Sequence, residues 1–304
     1  GSIVGGRRVH QGTFQVSCNR IGRRSFVGNG AVLPVGSSLG DGCLLGVQSI
    51  PPRDPPTTPD GTDWLGAPSF RLTHRAKVGG FDDAVTYRPT RKLYAQRAII
   101  DALRILIPGY IGLSSFVAWV GLMYLAFTQW GMWATFALAP VASFGLALCA
   151  VVVVAALKKV VMGTFRPVIK PLWSMYVWLN EMVNGAFESV AAPALTTMFG
   201  TPFVAPFLRL MGCRIGRRAY IATALFSEWD LAEIGDDVAL NHGVVVQNHL
   251  FEDRVFKSSH LVVGSQVSVG NMTVLLYDSV IEDGATVGPL SLVMKGETLA
   301  AGTS

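Results

Sequence analysis

Aliphatic residues return every six positions along the first part of the chain, at Ile21, Val27, Leu33, Leu39 and Leu45. The residue after each is Gly22, Gly28, Pro34, Gly40 or Gly46, and the fifth of each unit is small: Ser25, Ala31, Ser37, Cys43 or Ser49. One apolar position, one turn-former and one small residue per six is the demand of a triangular parallel coil. The aliphatic fills the prism, the small residue fits the corner, and glycine relaxes the turn. A sandwich of strands would alternate with period two. The pattern therefore predicts a hexapeptide-repeat, left-handed parallel β-helix. The theme returns less regularly from Ile215 onward, through Ile221, Ile234, Leu240, Leu261, Val267, Ile281, Val287 and Val293. The longest departure, Gln247 to Arg254, reads as an extruded loop, where solenoids carry function.

Between Arg104 and Lys158 the pattern changes completely, for the 53 residues from Ile105 to Leu157 carry no charge. One membrane span needs about 20 residues. The polar, glycine-containing stretch Thr128–Trp133 falls near the middle and predicts a turn between two transmembrane helices, with Trp130 and Trp133 at an interface. Arg88, Arg91, Lys92, Arg97 and Arg104 precede the pair and Lys158, Lys159, Arg166 and Lys170 follow it. The positive-inside rule then places both flanks, and both β-helices, on the cytoplasmic side of a bacterial inner membrane. The aromatic-rich stretch from Pro171 to Leu179 predicts an interfacial or amphipathic helix.

These elements divide the chain into a hexapeptide β-helix (1–80), a linker and juxtamembrane helix (81–107), two transmembrane helices (108–157), amphipathic or interfacial helices (158–212) and a second hexapeptide β-helix (213–304). The two repeat regions align when Ile21 is set on Ile281, an offset of 260, which implies tandem duplication. With no initiator Met, and Gly1-Ser2 in the manner of an expression scar, the chain reads as a fragment of a longer protein.

Composition sharpens the picture in a few respects. Half of the residues are apolar, 15% are charged, mean hydropathy is +0.42 and the net charge is only +5, which weakens a nucleic-acid reading. Cys18, Cys43, Cys149 and Cys213 are far apart and form no CxxC pair, so neither a disulfide framework nor a metal site is expected.

Three stretches resemble a known family: Val161-Met162-Gly163 with the run from Lys170 to Glu181, then Asn248 to Arg254, then Gly288-Pro289-Leu290-Ser291-Leu292. Together they resemble the C-terminal region of poly-ε-lysine-synthetase-type nonribosomal peptide synthetases. The resemblance implies a condensing unit that joins amino acids through amide or isopeptide bonds. It also implies adenylation and carrier domains as partners, with the aminoacyl group arriving as a phosphopantetheine thioester. No cofactor of the chain's own is expected. The implied surroundings are membrane lipid and a cationic amino acid or polymer, with a homo-oligomer possible in such an assembly and no nucleic acid.

Aminoacyl transfer to an amine requires a base for the attacking ammonium, donors for the oxyanion and a means of holding a cation. His249 is the candidate base, with Glu252 or Asp253 orienting the ring and Asn248 or backbone amides meeting the oxyanion. Glu228, Asp230, Glu233, Asp236 and Asp237 put five carboxylates within ten residues. Glu228 and Asp230, flanking Trp229, are the candidates for amine binding, and Arg254 in the loop is a further substrate-binding candidate. His242 is the alternative base, while His74 and His260 are expected only to pack. Two other functions stay open: a hexapeptide acyltransferase using an acyl-CoA donor, and a non-catalytic membrane scaffold or export guide.

Overall fold

The computed structural model describes residues 2–5, 7–52, 57–73 and 80–304. The chain divides into two compact units, Gly1–Gly80 and Phe81–Ser304.

In the first unit, strands of two residues stack in parallel. Arg20-Ile21 pairs with Ser38-Leu39, and Phe26-Val27 with Leu44-Leu45, 18 positions apart in each case. Leu33, Leu39 and Leu45 bury fully around Ala31, so three of the five six-spaced aliphatics form the core. A hairpin leaves this stack before the first full turn: β1 (Arg7–His10) and β2 (Thr13–Val16) pair antiparallel across Gln11-Gly12. Both turn residues have positive φ, 46° and 72°, as a two-residue hairpin turn of right-handed twist requires.

The second unit begins with helix α1, Arg91–Val161, capped by the Thr90 hydroxyl. Strand β3 (Val168–Pro171) follows, then helix α2 (Met175–Ala186) and a π-helical turn, Phe187–Ala191. From Arg214 onward short parallel strands stack again, Ile234 on Val263 on Ile281 and Leu240 on Val269 on Val287. A second hairpin, β4 (His249–Glu252) and β5 (Val255–Ser258), leaves this stack, and β3 adds antiparallel to its outer edge. The core packs the aliphatics of the stack against Val183, Phe187, Leu208 and the last turns of α1.

Two expectations are corrected. The described residues form small sheets of two to five strands, parallel and mixed, rather than two uniform left-handed β-helices. A hexapeptide period specifies where strand and turn alternate, and leaves open how the strands are shared among sheets. The transmembrane hairpin of two spans over 108–157 is not shown: one helical run of 71 residues, two helices joined at a kink at Gly131, takes in the predicted juxtamembrane helix as well. The polar stretch does not become a loop, because only Gly131 leaves helical dihedrals (φ 78°, ψ −178°) and Thr128 and Thr135 spend their hydroxyls on helix carbonyls. The limbs on either side of Gly131 touch, Trp119 Nε1 donating to Ser143 Oγ at 3.0 Å. By length and composition α1 is able to cross a membrane, and most of its apolar surface is uncovered by protein.

The hairpins also change the phase of the duplication. Ladders of period 18 match themselves at every multiple of 18, so hexapeptides alone do not separate an offset of 260 from one of 242. An offset of 242 sets β1 and β2 on β4 and β5 residue for residue, Arg7 on His249 and Val16 on Ser258. It also carries the Ile3–Val32 pairing onto Val245–Val274 and the Ile21–Leu39 pairing onto Val263–Ile281. The positive-φ residues follow: Gln11 and Asp253, Arg24 and Gln266, Gln48 and Leu290. Even Asp41 and Asp283 repeat one role, each accepting from the backbone N–H of its neighbouring turn, at Arg23 and Ser265.

Candidate functional site

Glu228 is the centre of the site and its backbone is the unusual feature. The residue adopts φ 40° and ψ 57°, a left-handed conformation that costs a non-glycine residue of order 1–3 kcal/mol and persists only where the surroundings enforce it. The enforcement comes from the next two residues. Trp229 is wholly buried against Phe187 and Phe165, at ring centroid distances of 4.9 and 6.1 Å. Asp230 pairs with the buried Lys158 in the last turn of α1 and accepts from Phe165 N–H at 2.9 Å. The end of the long helix thus grips the turn that aims Glu228.

The aimed carboxylate is fully buried and meets two partners. One oxygen lies 2.6 Å from His249 Nδ1, and the other accepts from Asn180 Nδ2 at 2.7 Å. Asn184 Nδ2 donates to Asn180 Oδ1 at 3.1 Å, which fixes the amide so that its NH2 faces Glu228. Phe256 stacks on the imidazole at 5.1 Å and Phe251 meets its edge at 5.3 Å. Tyr176 lies behind Phe256 at 6.0 Å. The His249 side chain keeps 19% of its surface exposed, and among the described residues no partner meets its Nε2.

Burial pulls the His249 value down, but the Glu228 charge and hydrogen bond, aided by Glu181 and Glu188, outweigh it and hold the imidazole above its ordinary range. Burial likewise pushes Glu228 up, and His249, Asn180 and Ser227 more than compensate, leaving its carboxyl below the usual range. Each shift favours the charged form of its group. Tyr176 is pushed up to about 12 by burial and by the charges of Glu228 and Asp230, so its phenol stays protonated.

The other candidates are placed differently from the sequence expectation. Glu252 points away from the imidazole and is shared between Lys257 Nζ at 2.9 Å and Lys295 Nζ at 2.8 Å. Asp253 and Arg254 form the hairpin turn, with φ of 51° and 61°, and the Arg254 guanidinium lies over the Tyr87 ring. Asn248 is buried, its Nδ2 donating to Ser259 O at 3.4 Å while Oδ1 has no hydrogen-bond partner among the described residues. Glu233 pairs with Arg214, and Asp237 pairs with Arg218, while Asp236 accepts from the Arg217 backbone at 2.6 Å. Each of the five carboxylates therefore has a partner, at Asp236 a backbone N–H. His242 is exposed, His260 stands 3.7 Å from Glu233, and His74 lies outside the described residues. Among the described residues no group of three or more His, Cys, Asp or Glu side chains is arranged to hold a metal ion. The residues that sequence reasoning missed are Asn180 and Lys158. The carboxylate pair around Trp229 was the visible signal, and its pairing to side chains 21 and 72 positions away was not.

No family model matches the chain. It is 34% identical, over 305 residues and 98% of its length, to a protein of Acinetobacter baumannii (strain AB307-0294) named delta-poly-L-ornithine synthetase. The chain spans 22% of that relative's length.

Proposed function

We propose that this chain is a membrane-associated condensing part of a poly-amino-acid synthetase, joining amino acids presented as thioesters through amide or isopeptide bonds. The observation that carries the reading is the buried Asn180–Glu228–His249 relay, which leaves Nε2 on the partly exposed edge of the ring. The relative named for poly-ornithine synthesis and the apolar helix α1 agree with it.

In this reading the ammonium first releases one proton to solvent, and the neutral imidazole takes a second from the nitrogen at Nε2 as the amine adds to the thioester carbonyl. The tetrahedral intermediate collapses with cleavage of the C–S bond, and the imidazolium returns the proton to the departing thiolate. Glu228 holds the tautomer with N–H at Nδ1 and stabilises the imidazolium, the part a carboxylate plays in orienting a base. Glu228 and Asp230 are both already partnered, so neither is assigned to binding a cationic substrate. Adenylation and carrier functions come from other domains.

The test is a transfer assay with chemically loaded aminoacyl carrier and the intact synthetase. His249→Gln keeps size and polarity and removes the titratable nitrogen, so transfer is expected to fall on the order of a hundredfold or more. Normal transfer by a folded His249→Gln preparation, free of wild-type enzyme, sinks the reading.

A further inference from the structure

The equivalence of the two hairpins exposes an unequal pair of surfaces. On the second hairpin, β3 pairs antiparallel along β5, Val168 opposite Ser258 through Pro171 opposite Val255, and α2 closes over Phe256, which is fully buried. On the first hairpin, β2 is the counterpart of β5 and Phe14 the counterpart of Phe256. Among the described residues no strand pairs with the outer edge of β2, and Val9, Phe14 and Val16 are 70%, 62% and 67% exposed. An unpaired edge beside exposed large apolar side chains is an unsatisfied surface by two independent criteria, backbone hydrogen bonding and apolar area.

We infer that the first hairpin docks a strand-and-helix segment of the kind formed by Val168–Ala186, supplied by a part of the same polypeptide outside these 304 residues. The occupied twin specifies the occupant. A strand of about four residues runs antiparallel to Thr13–Val16, and an amphipathic helix follows it within a few residues and buries Phe14 under aromatic side chains, as Tyr176 and Trp178 cover Phe256. Such β-augmentation gains affinity from main-chain bonds and register from alternate side chains. The surface is not a second acid–base site, because Arg7 stands where His249 stands in the twin and does not release its proton. The inference is independent of the catalytic reading.

Amide hydrogen exchange across Thr13–Val16 is compared between this chain and the complete polypeptide that contains it. The outward-facing amides should exchange at least tenfold more slowly in the complete polypeptide. Phe14→p-benzoylphenylalanine, irradiated in the complete polypeptide, should crosslink within that polypeptide to a segment in which a strand precedes an amphipathic helix. Equal exchange in the two forms overturns the inference. So does a crosslink that joins Phe14 to a second copy, to lipid or to nothing. Because Phe14 is exposed here, loss of fold in the substituted chain alone is not expected, and Phe14→Ser should restore fast exchange in the complete polypeptide.

Discussion

The two hairpins share length, turn geometry and register, and differ in nearly everything their side chains do. In the first, Arg7, Val9, Phe14 and Val16 lie on the surface. In the second, the same positions hold His249, Phe251, Phe256 and Ser258, enclosed by β3 and α2. The backbone of such a hairpin is thus a neutral platform. A buried charged pair forms only where a neighbouring turn brings a carboxylate to the first residue of the hairpin. Helix α1 contributes indirectly, by holding Asp230 through Lys158 next to the strained turn at Glu228.

The largest expected contrast is in stability. Phe256→Ala should cost about 3–5 kcal/mol, the range for deleting a buried aromatic ring, whereas Phe14→Ala in the isolated chain should change the unfolding midpoint of its unit very little. Comparable losses at the two positions, measured by denaturant unfolding, break the contrast.

Next in size is chemistry. Against the hundredfold loss expected for His249→Gln, Arg7→Gln should leave transfer within about twofold, since no proton moves at that position. A large loss from Arg7→Gln in folded enzyme means the hairpins are functionally alike after all.

A smaller effect appears in pH dependence. Because the folded-state value of His249 is raised, its stabilising contribution is fully present below the unfolded value and is lost as pH rises through the folded one. Glu228 behaves oppositely: its value is lowered, so its contribution is present above the unfolded value and is lost as pH falls through the folded one. The pair therefore contributes fully between the unfolded value of Glu228 and that of His249, and progressively less out to the folded-state values on either side. The ascending limb of transfer, which needs neutral imidazole, should lie on the alkaline side of an ordinary histidine. In Glu228→Gln the limb should move to lower pH, since burial then acts on His249 without its counter-charge, and transfer should fall about tenfold or more. A limb that stays in place dissociates His249 from the rate. The smallest change should come from Asp253→Asn and Glu252→Gln, which are expected to alter transfer only a few-fold, because Glu252 is held by two lysines and Asp253 sits in the hairpin turn.

Much of this was legible without coordinates. Leu33, Leu39 and Leu45 declare themselves as core by their spacing, and the uncharged run from Ile105 to Leu157 declares its apolar surroundings. His249 stands out as a polar residue in a loop departing from the repeat. These are local signals, carried by period, composition and contiguity, and they survive any arrangement of the elements. Tertiary structure alone decided the rest. The phase of the internal correspondence depended on a hairpin that hexapeptides do not encode, and one glycine with φ of 78° at Gly131 made a kink between two helical limbs where a loop was expected. The carboxylate for His249 came from 21 positions upstream, while the two nearer in sequence went to a lysine pair and a turn. Neighbours along a strand point to alternate faces, so adjacency in sequence is a poor guide to which charges meet. Burial then makes that pairing decisive, because a buried charge must find a partner wherever the fold supplies one.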